Sequence, residues 1–293
     1  MLNRQWDNFW FSASRSEPLR GIRICWSVAT LIYLFSWFDD IGFWMDREGV
    51  LSKGRITELL QSAANEQPPW TRLSPLYWIN TTTGLYLFLF SAMAIAVIAM
   101  LGVGGRIATI ANWFFLLSIV HRAPMLIGLC EPLLTLGWAY LSIHPGPPVA
   151  FKPTVSSQAK TVSESPSIAA NIALRLLQLH TFAWLFLALA SQCAGLVWWQ
   201  GEAVWWLASE QRTPALPTQW LANFPYLANL LTHGLIALEI ITLLMLWPSS
   251  TRKFGVWAGW ASCALMALIS DQLLYPIMVA MLLLSFLPEK PNE

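Results

Sequence analysis

A chain of 293 residues that is 56% hydrophobic and only 11% charged departs from soluble domains, where about a quarter of residues carry charge. With a mean hydropathy of +0.52 and repeated apolar runs of spanning length, residues 1–293 read as one integral membrane domain. A net charge of +1 offers no basic surface, which excludes nucleic acid as a partner, and the 18 tryptophans point to aromatic belts at the headgroup level.

The N-terminus, MLNRQWDNFWFSASRSEPLRG, has no short apolar core followed by a small-residue cleavage site. It reads as an amphipathic segment entering along the membrane surface rather than a removable signal. A first span is expected from about Leu19 to Phe38, started by Ser16, Glu17 and Pro18. Arg23, roughly one turn in, is near enough to the end to snorkel to the headgroups. Residues 39–80 are too charged to span and, with Trp44, Trp70 and Trp78, suit an interfacial connection holding a surface helix over about Lys53–Ala64.

Spans two (about Gly84–Leu101) and three (about Arg106–Val120) are joined by the short GVGG turn, which makes them antiparallel neighbours. After His121, Arg122, Ala123 and Pro124, span four runs from Met125 to Ile143 and carries Glu131 about two turns inside. Residues 144–167, rich in Pro and Ser, read as a flexible connector. It separates the first four spans (19–143) from the last four (168–288). Span five begins at Ile168 and runs to about Cys193. A second long connection, 195–229, holds the pairs Trp198–Trp199 and Trp205–Trp206 and suits a surface or re-entrant helix. Spans six (Leu230–Trp247), seven (Phe254–Ile269) and eight (Leu273–Leu287) follow. The fold class is therefore all-α, a polytopic transmembrane helix bundle of about eight spans, with seven to nine open, and interfacial helices in its two long connections. Lys and Arg are more frequent in the connections on the N-terminal side, which puts both termini in the cytoplasm.

Ionisable groups at membrane depth cost about 2.5–3.5 kcal/mol each on insertion scales, so they need a partner or a function. Counting about 1.5 Å per residue from the helix ends, Arg175 and Glu239 share one depth and His180 and Glu131 another. Two buried pairs are expected, Arg175–Glu239 and His180–Glu131. They either fasten helices together or line a polar cavity, since structural and catalytic pairs look alike in sequence. Asn171, Arg175 and Gln178 share one helical stripe, and His180 points away from it. No phosphate loop, H-E-x-x-H or nucleophile elbow is present. The histidines His121, His144, His180 and His233 are too dispersed for a metal site, and Cys25, Cys130, Cys193 and Cys263 form no C-x-x-C pair and read as packing residues.

Several pieces together resemble the horizontally transferred transmembrane domain family, the membrane part of vitamin K-dependent γ-glutamyl carboxylase and its bacterial relatives. They are the Arg23-bearing first span, D-R-E-G at Asp46–Gly49, R-A-P at Arg122–Pro124 followed by Glu131, the Arg175–Gln178 span, W-W-Q-G-E-A at Trp198–Ala203, and Glu239. The resemblance implies a bacterial inner-membrane protein with an apolar chamber for a vitamin K-like quinone or a lipid. Glu131, Arg175, His180 and Glu239 are then the candidate catalytic groups, and Arg122, Gln178, Gln192 and His233 the candidate quinone-binding ones. In the family a Lys commonly stands a few residues before the W-W-x-G turn and serves as the proposed base; here that place holds Gln192, which has no titratable amine, so glutamyl carboxylation is not expected.

Three functions remain open. One is a quinone-linked membrane oxidoreductase or divergent carboxylase-like enzyme in which His180 and Glu131 move protons. The second is a non-catalytic lipid- or quinone-binding module working with another membrane protein or a soluble thiol oxidoreductase, the partner the resemblance implies. The third is a transporter, for which repeated halves would be expected, although the two halves show no internal echo.

Overall fold

Pro18 in the first turn of α2 (Glu17–Ser36) sets the entry of a helix whose buried residues Leu19, Ile22, Trp26, Ala29 and Tyr33 recur at steps of three and four, one face of a 3.6-residue period. The computed structural model describes residues 2–63, 74–79, 81–149, 166–209, 219–270 and 272–287. Among the described residues all regular structure is helical, apart from one isolated antiparallel bridge between Ser14 and Ser167. The chain divides into two compact units, 1–173 and 174–293.

The first unit opens with α1 (Leu2–Phe11), tied down where Nδ2 of Asn171 donates to the carbonyls of Phe9 and Trp10 at 2.8 and 2.9 Å. After α2 come the short α3 (Ile41–Met45) and α4 (Lys53–Ala63), which occupy the first long connection, then α5 (Thr82–Leu101), α6 (Gly105–Arg122) and α7 (Cys130–Ile143). Helices α2, α5, α6 and α7 pack together. Two tryptophans knit α2 to α7: Trp26 Nε1 donates to the carbonyl of Leu134 at 3.1 Å, and Trp138 Nε1 to Thr30 Oγ1 at 2.8 Å. The approach is close because Gly137 faces the Trp26 indole, which a Cβ there would overlap. Between α5 and α6, Gly102, Gly104 and Gly105 have φ of 76°, 78° and 53°. Only residues without a Cβ adopt these values cheaply, which is why so short a turn can reverse the chain.

In the second unit, α8 (Ile168–Ala194), which starts in the first, is followed by α9 (Leu196–Trp199), α10 (Ala203–Ser209), α11 (Pro225–Met245), α12 (Arg252–Ile269) and α13 (Leu274–Leu283). Helices α11, α12 and α13 pack in sequence, and α9 and α10 lie against α11. Four helices, α2, α5, α8 and α11, are long and apolar enough to cross a membrane, consistent with an integral membrane protein. Helices α7 and α13 are shorter than the expected spans. With 14 and 10 residues they reach only about 21 and 15 Å at 1.5 Å per residue.

Two sequence expectations are corrected here. Arg23 does not snorkel to the headgroups but is fully buried. Its Nη1 donates to the carbonyls of Pro145 (2.6 Å) and Gly146 (3.0 Å), and its Nη2 to that of Pro147 (2.9 Å). The start of the Pro-rich connector is thus a fixed acceptor cluster for a guanidinium, helped by prolines that leave carbonyls free of local helix bonding. Residues 150–165 of that connector lie outside the described residues. Second, the helix bearing Glu131 does not begin at Met125. Pro124–Leu126 form a 3₁₀ turn and α7 starts at Cys130, so Glu131 lies in the first helical turn rather than two turns deep. An acidic residue suits that place, where the helix dipole is positive.

Candidate functional site

The eight residues singled out in the sequence fall into separate groups. Arg122 and Glu131 belong to the first unit, and Arg175, Gln178, His180, Gln192, His233 and Glu239 to the second.

In the first unit, Glu131 is nearly buried. Its Oε2 accepts from the Gly128 N–H at 2.8 Å, and Tyr33 of α2 is near enough to interact electrostatically with the same carboxylate. Tyr33 carried no signal in the sequence beyond its place on the buried stripe of α2. Arg122 is almost wholly buried at the end of α6, with Nη2 3.4 Å from the Met45 carbonyl and its guanidinium 5.5 Å from the centre of the Tyr77 ring. The Met45 contact sets the R-A-P segment beside the residue that precedes D-R-E-G. The aromatic face offers a cation–π attraction where water is excluded.

The second unit contains the most concentrated polar group. Gln192, near the end of α8, donates from Nε2 to Oε1 of Glu239 on α11 at 3.1 Å, and Ser262 Oγ of α12 approaches the same oxygen at 3.5 Å. Glu239 is 8% exposed. Its Oε2 and the Oε1 of Gln192 are both buried without a hydrogen-bond partner. Two adjacent acceptors without donors, set in apolar helices, are costly, because an unsatisfied buried polar group forfeits about 1–3 kcal/mol. Cys263, beside Ser262 on α12, adds a buried thiol. In the sequence Cys263 reads as a packing residue and Ser262 gives no signal, since small residues in an apolar helix show no periodicity.

The expected Arg175–Glu239 pair is replaced by other bonds. Arg175 Nη1 donates to Gln178 Oε1 at 2.9 Å, and Gln178 Nε2 donates to the Ser285 carbonyl at 2.7 Å. Gln192 holds Glu239, and Arg175 lies 17 residues earlier on the same continuous helix, about 25 Å along its axis. No arginine side chain reaches that far. Equal counting from helix ends failed because α8 and α11 are staggered along their length. The expected His180–Glu131 pair joins residues of different units, and the altered position of Glu131 removes the depth match behind it. Within its own unit the His180 ring centre lies 6.1 Å from that of Trp184, whose Nε1 donates to the Tyr275 hydroxyl at 2.8 Å. His233 is exposed on α11 and takes no part in the cluster. Among the described residues, no three His, Cys, Asp or Glu side chains gather as a metal site requires.

Fold and site together define a helical protein with candidate membrane spans and a buried carboxylate–carboxamide cluster in its second unit. No family model, curated protein or solved structure matches the chain.

Proposed function

We propose that the second unit is a binding site for the polar end of a quinone or lipid, held at the Gln192–Glu239–Ser262 cluster. The observation that carries this reading is the pair of neighbouring acceptors, Gln192 Oε1 and Glu239 Oε2, left without donors among apolar helices. A hydroquinone or lipid hydroxyl supplies the missing donor, and the apolar helix surfaces suit its hydrocarbon part.

In this reading the chain belongs with the horizontally transferred transmembrane domain proteins, spans a bacterial inner membrane about eight times, with α6, α12 and, lengthened by the residues flanking them over 125–143 and 273–287, α7 and α13 completing the count, and keeps both termini in the cytoplasm. It does not carboxylate glutamate. Gln192 stands where the base is expected and is engaged with Glu239. Of the functional classes, a binding module is favoured over an oxidoreductase by the same bond, because the residue beside the carboxylate cannot exchange a proton at neutral pH. A thiol-oxidoreductase partner belongs to this proposal as the protein that acts on the bound molecule.

The test is extraction of the full chain, purified in mild detergent, followed by mass spectrometry for quinones and lipids, with ubiquinol and menaquinol added in a second series. A quinone retained by the wild type and reduced about tenfold in Gln192→Leu, a difference of about 1.4 kcal/mol, supports the site. Equal retention in both proteins, or no retention after loading, overturns it.

A further inference from the structure

The W-W-Q-G-E-A turn takes no part in the Gln192–Glu239 cluster, yet it is built with care. Gly201, at φ 78°, brings its backbone so close to Asn229 that a Cβ would overlap that side chain. Asn229 Nδ2 donates to the Gln200 carbonyl at 3.0 Å. Thr232 Oγ1 lies 3.0 Å from the Gly201 carbonyl and accepts from the Val204 N–H at 3.1 Å. These bonds fix the turn and α10 against the beginning of α11. Beside them opens a groove of about 780 Å³, within the range of small-molecule sites.

The lining decides what the groove can hold. Among the described residues Glu202 is its one charged group, and Trp205, Trp206 and Tyr226 supply aromatic walls, with Gln200 and Asn229 as the amides. Trp206 and Tyr226 are 52% and 90% exposed, and Trp206 Nε1 lies 3.4 Å from Glu202 Oε2. Among the described residues, no lysine or arginine lines the groove to receive a phosphate or carboxylate. Indole and phenol faces carry negative electrostatic potential, and a carboxylate beside them suits a primary or quaternary ammonium group. Pro225 opens candidate span α11, so the groove sits at the end of a membrane helix, at the level where lipid headgroups lie and exposed tryptophans gather.

We infer that this groove is an ammonium-binding site at the headgroup level, with Glu202 as counter-ion and Trp205, Trp206 and Tyr226 as the aromatic walls. The ammonium comes from a zwitterionic lipid such as phosphatidylethanolamine or phosphatidylcholine, or from a free alkylammonium compound. The site is separate from the Gln192–Glu239 cluster and does not depend on it.

Native mass spectrometry of the full chain in detergent tests this with acyl-matched phosphatidylethanolamine, phosphatidylcholine and phosphatidylglycerol. The wild type is expected to retain the two ammonium lipids about tenfold more than phosphatidylglycerol. Glu202→Gln brings the three near parity, Glu202→Asp keeps part of the preference, and Tyr226→Leu weakens it. Competition by millimolar ethanolamine or tetramethylammonium assigns the site to free cations as well, and its failure assigns it to lipid; either result accompanies a surviving preference. Equal retention of all three lipids by the wild type, or an unchanged preference in a Glu202→Gln protein of normal melting temperature, overturns the inference.

Discussion

Gln192 and Glu239 meet at 3.1 Å across α8 and α11, near the end of one helix and in the middle of the other. That bond marks how far the two helices are displaced along each other. It also removes Arg175 from the carboxylate's reach. In a bilayer, helices gain little from hydrophobic burial against one another, so such polar contacts and close packing specify the register.

Coupling between these two residues is therefore expected, and between Arg175 and Glu239 it is not. In a double-mutant cycle read by thermal unfolding in detergent, Gln192→Leu with Glu239→Gln should deviate from additivity by about 0.6–1.7 kcal/mol, the range for interhelical hydrogen bonds in membranes. Arg175→Met with Glu239→Gln should be additive to within about 0.5 kcal/mol. The reverse pattern would restore the ion pair and discard the stagger.

Gly137 admits the Trp26 indole to the α2–α7 contact. Gly137→Ala is expected to destabilise the first unit by about 1–3 kcal/mol through overpacking. Trp26→Leu in the same chain should recover part of that loss, whereas it lowers stability when made alone. Melting temperatures of the three variants check this, and a harmless Gly137→Ala would contradict the close approach.

Arg23 binds three successive carbonyls at Pro145, Gly146 and Pro147. Arg23→Met should free the start of the connector and raise the rate of proteolytic cleavage between 144 and 167. Arg23→Lys recovers little, because an ammonium lacks the planar fork that reaches several acceptors at once. Cleavage rates unchanged in both variants would mean that the connector is fixed by other contacts.

Asp46 lies at the end of α3, and its carboxylate accepts from the Thr82 hydroxyl and the Arg47 N–H, which hold its pKa below the usual value. A carboxyl depressed in the folded state stabilises it above the unfolded pKa of about 3.9, and that stabilisation disappears as pH falls through the lower folded value. Asp46→Asn and Thr82→Val should each lower the melting temperature slightly at pH 7 and flatten its decline between about pH 5 and 3. Melting curves across that range decide the matter, and parallel curves for wild type and variants would show that the contact contributes nothing.

Composition and periodicity were enough to establish a helical chain with segments long and apolar enough to span a membrane, because apolar length and the 3.6-residue repeat are properties of single helices. The Gly102–Gly105 turn and the helix at 53–63 were legible for the same reason: each depends on its own residues. Glu239 and Gln192 could be singled out as polar groups in apolar runs, but their union could not. Which side chains meet depends on the axial displacement of α8 against α11, and no residue within either helix encodes that displacement alone. The same holds for Arg23, whose acceptors lie 122 to 124 residues away, and for Ser262, visible as a partner only once α12 packs on α11. The sequence by itself thus determined the polar inventory and the helices that carry it. Tertiary packing decided the pairings, since matching a buried donor to an acceptor is a property of two surfaces in contact.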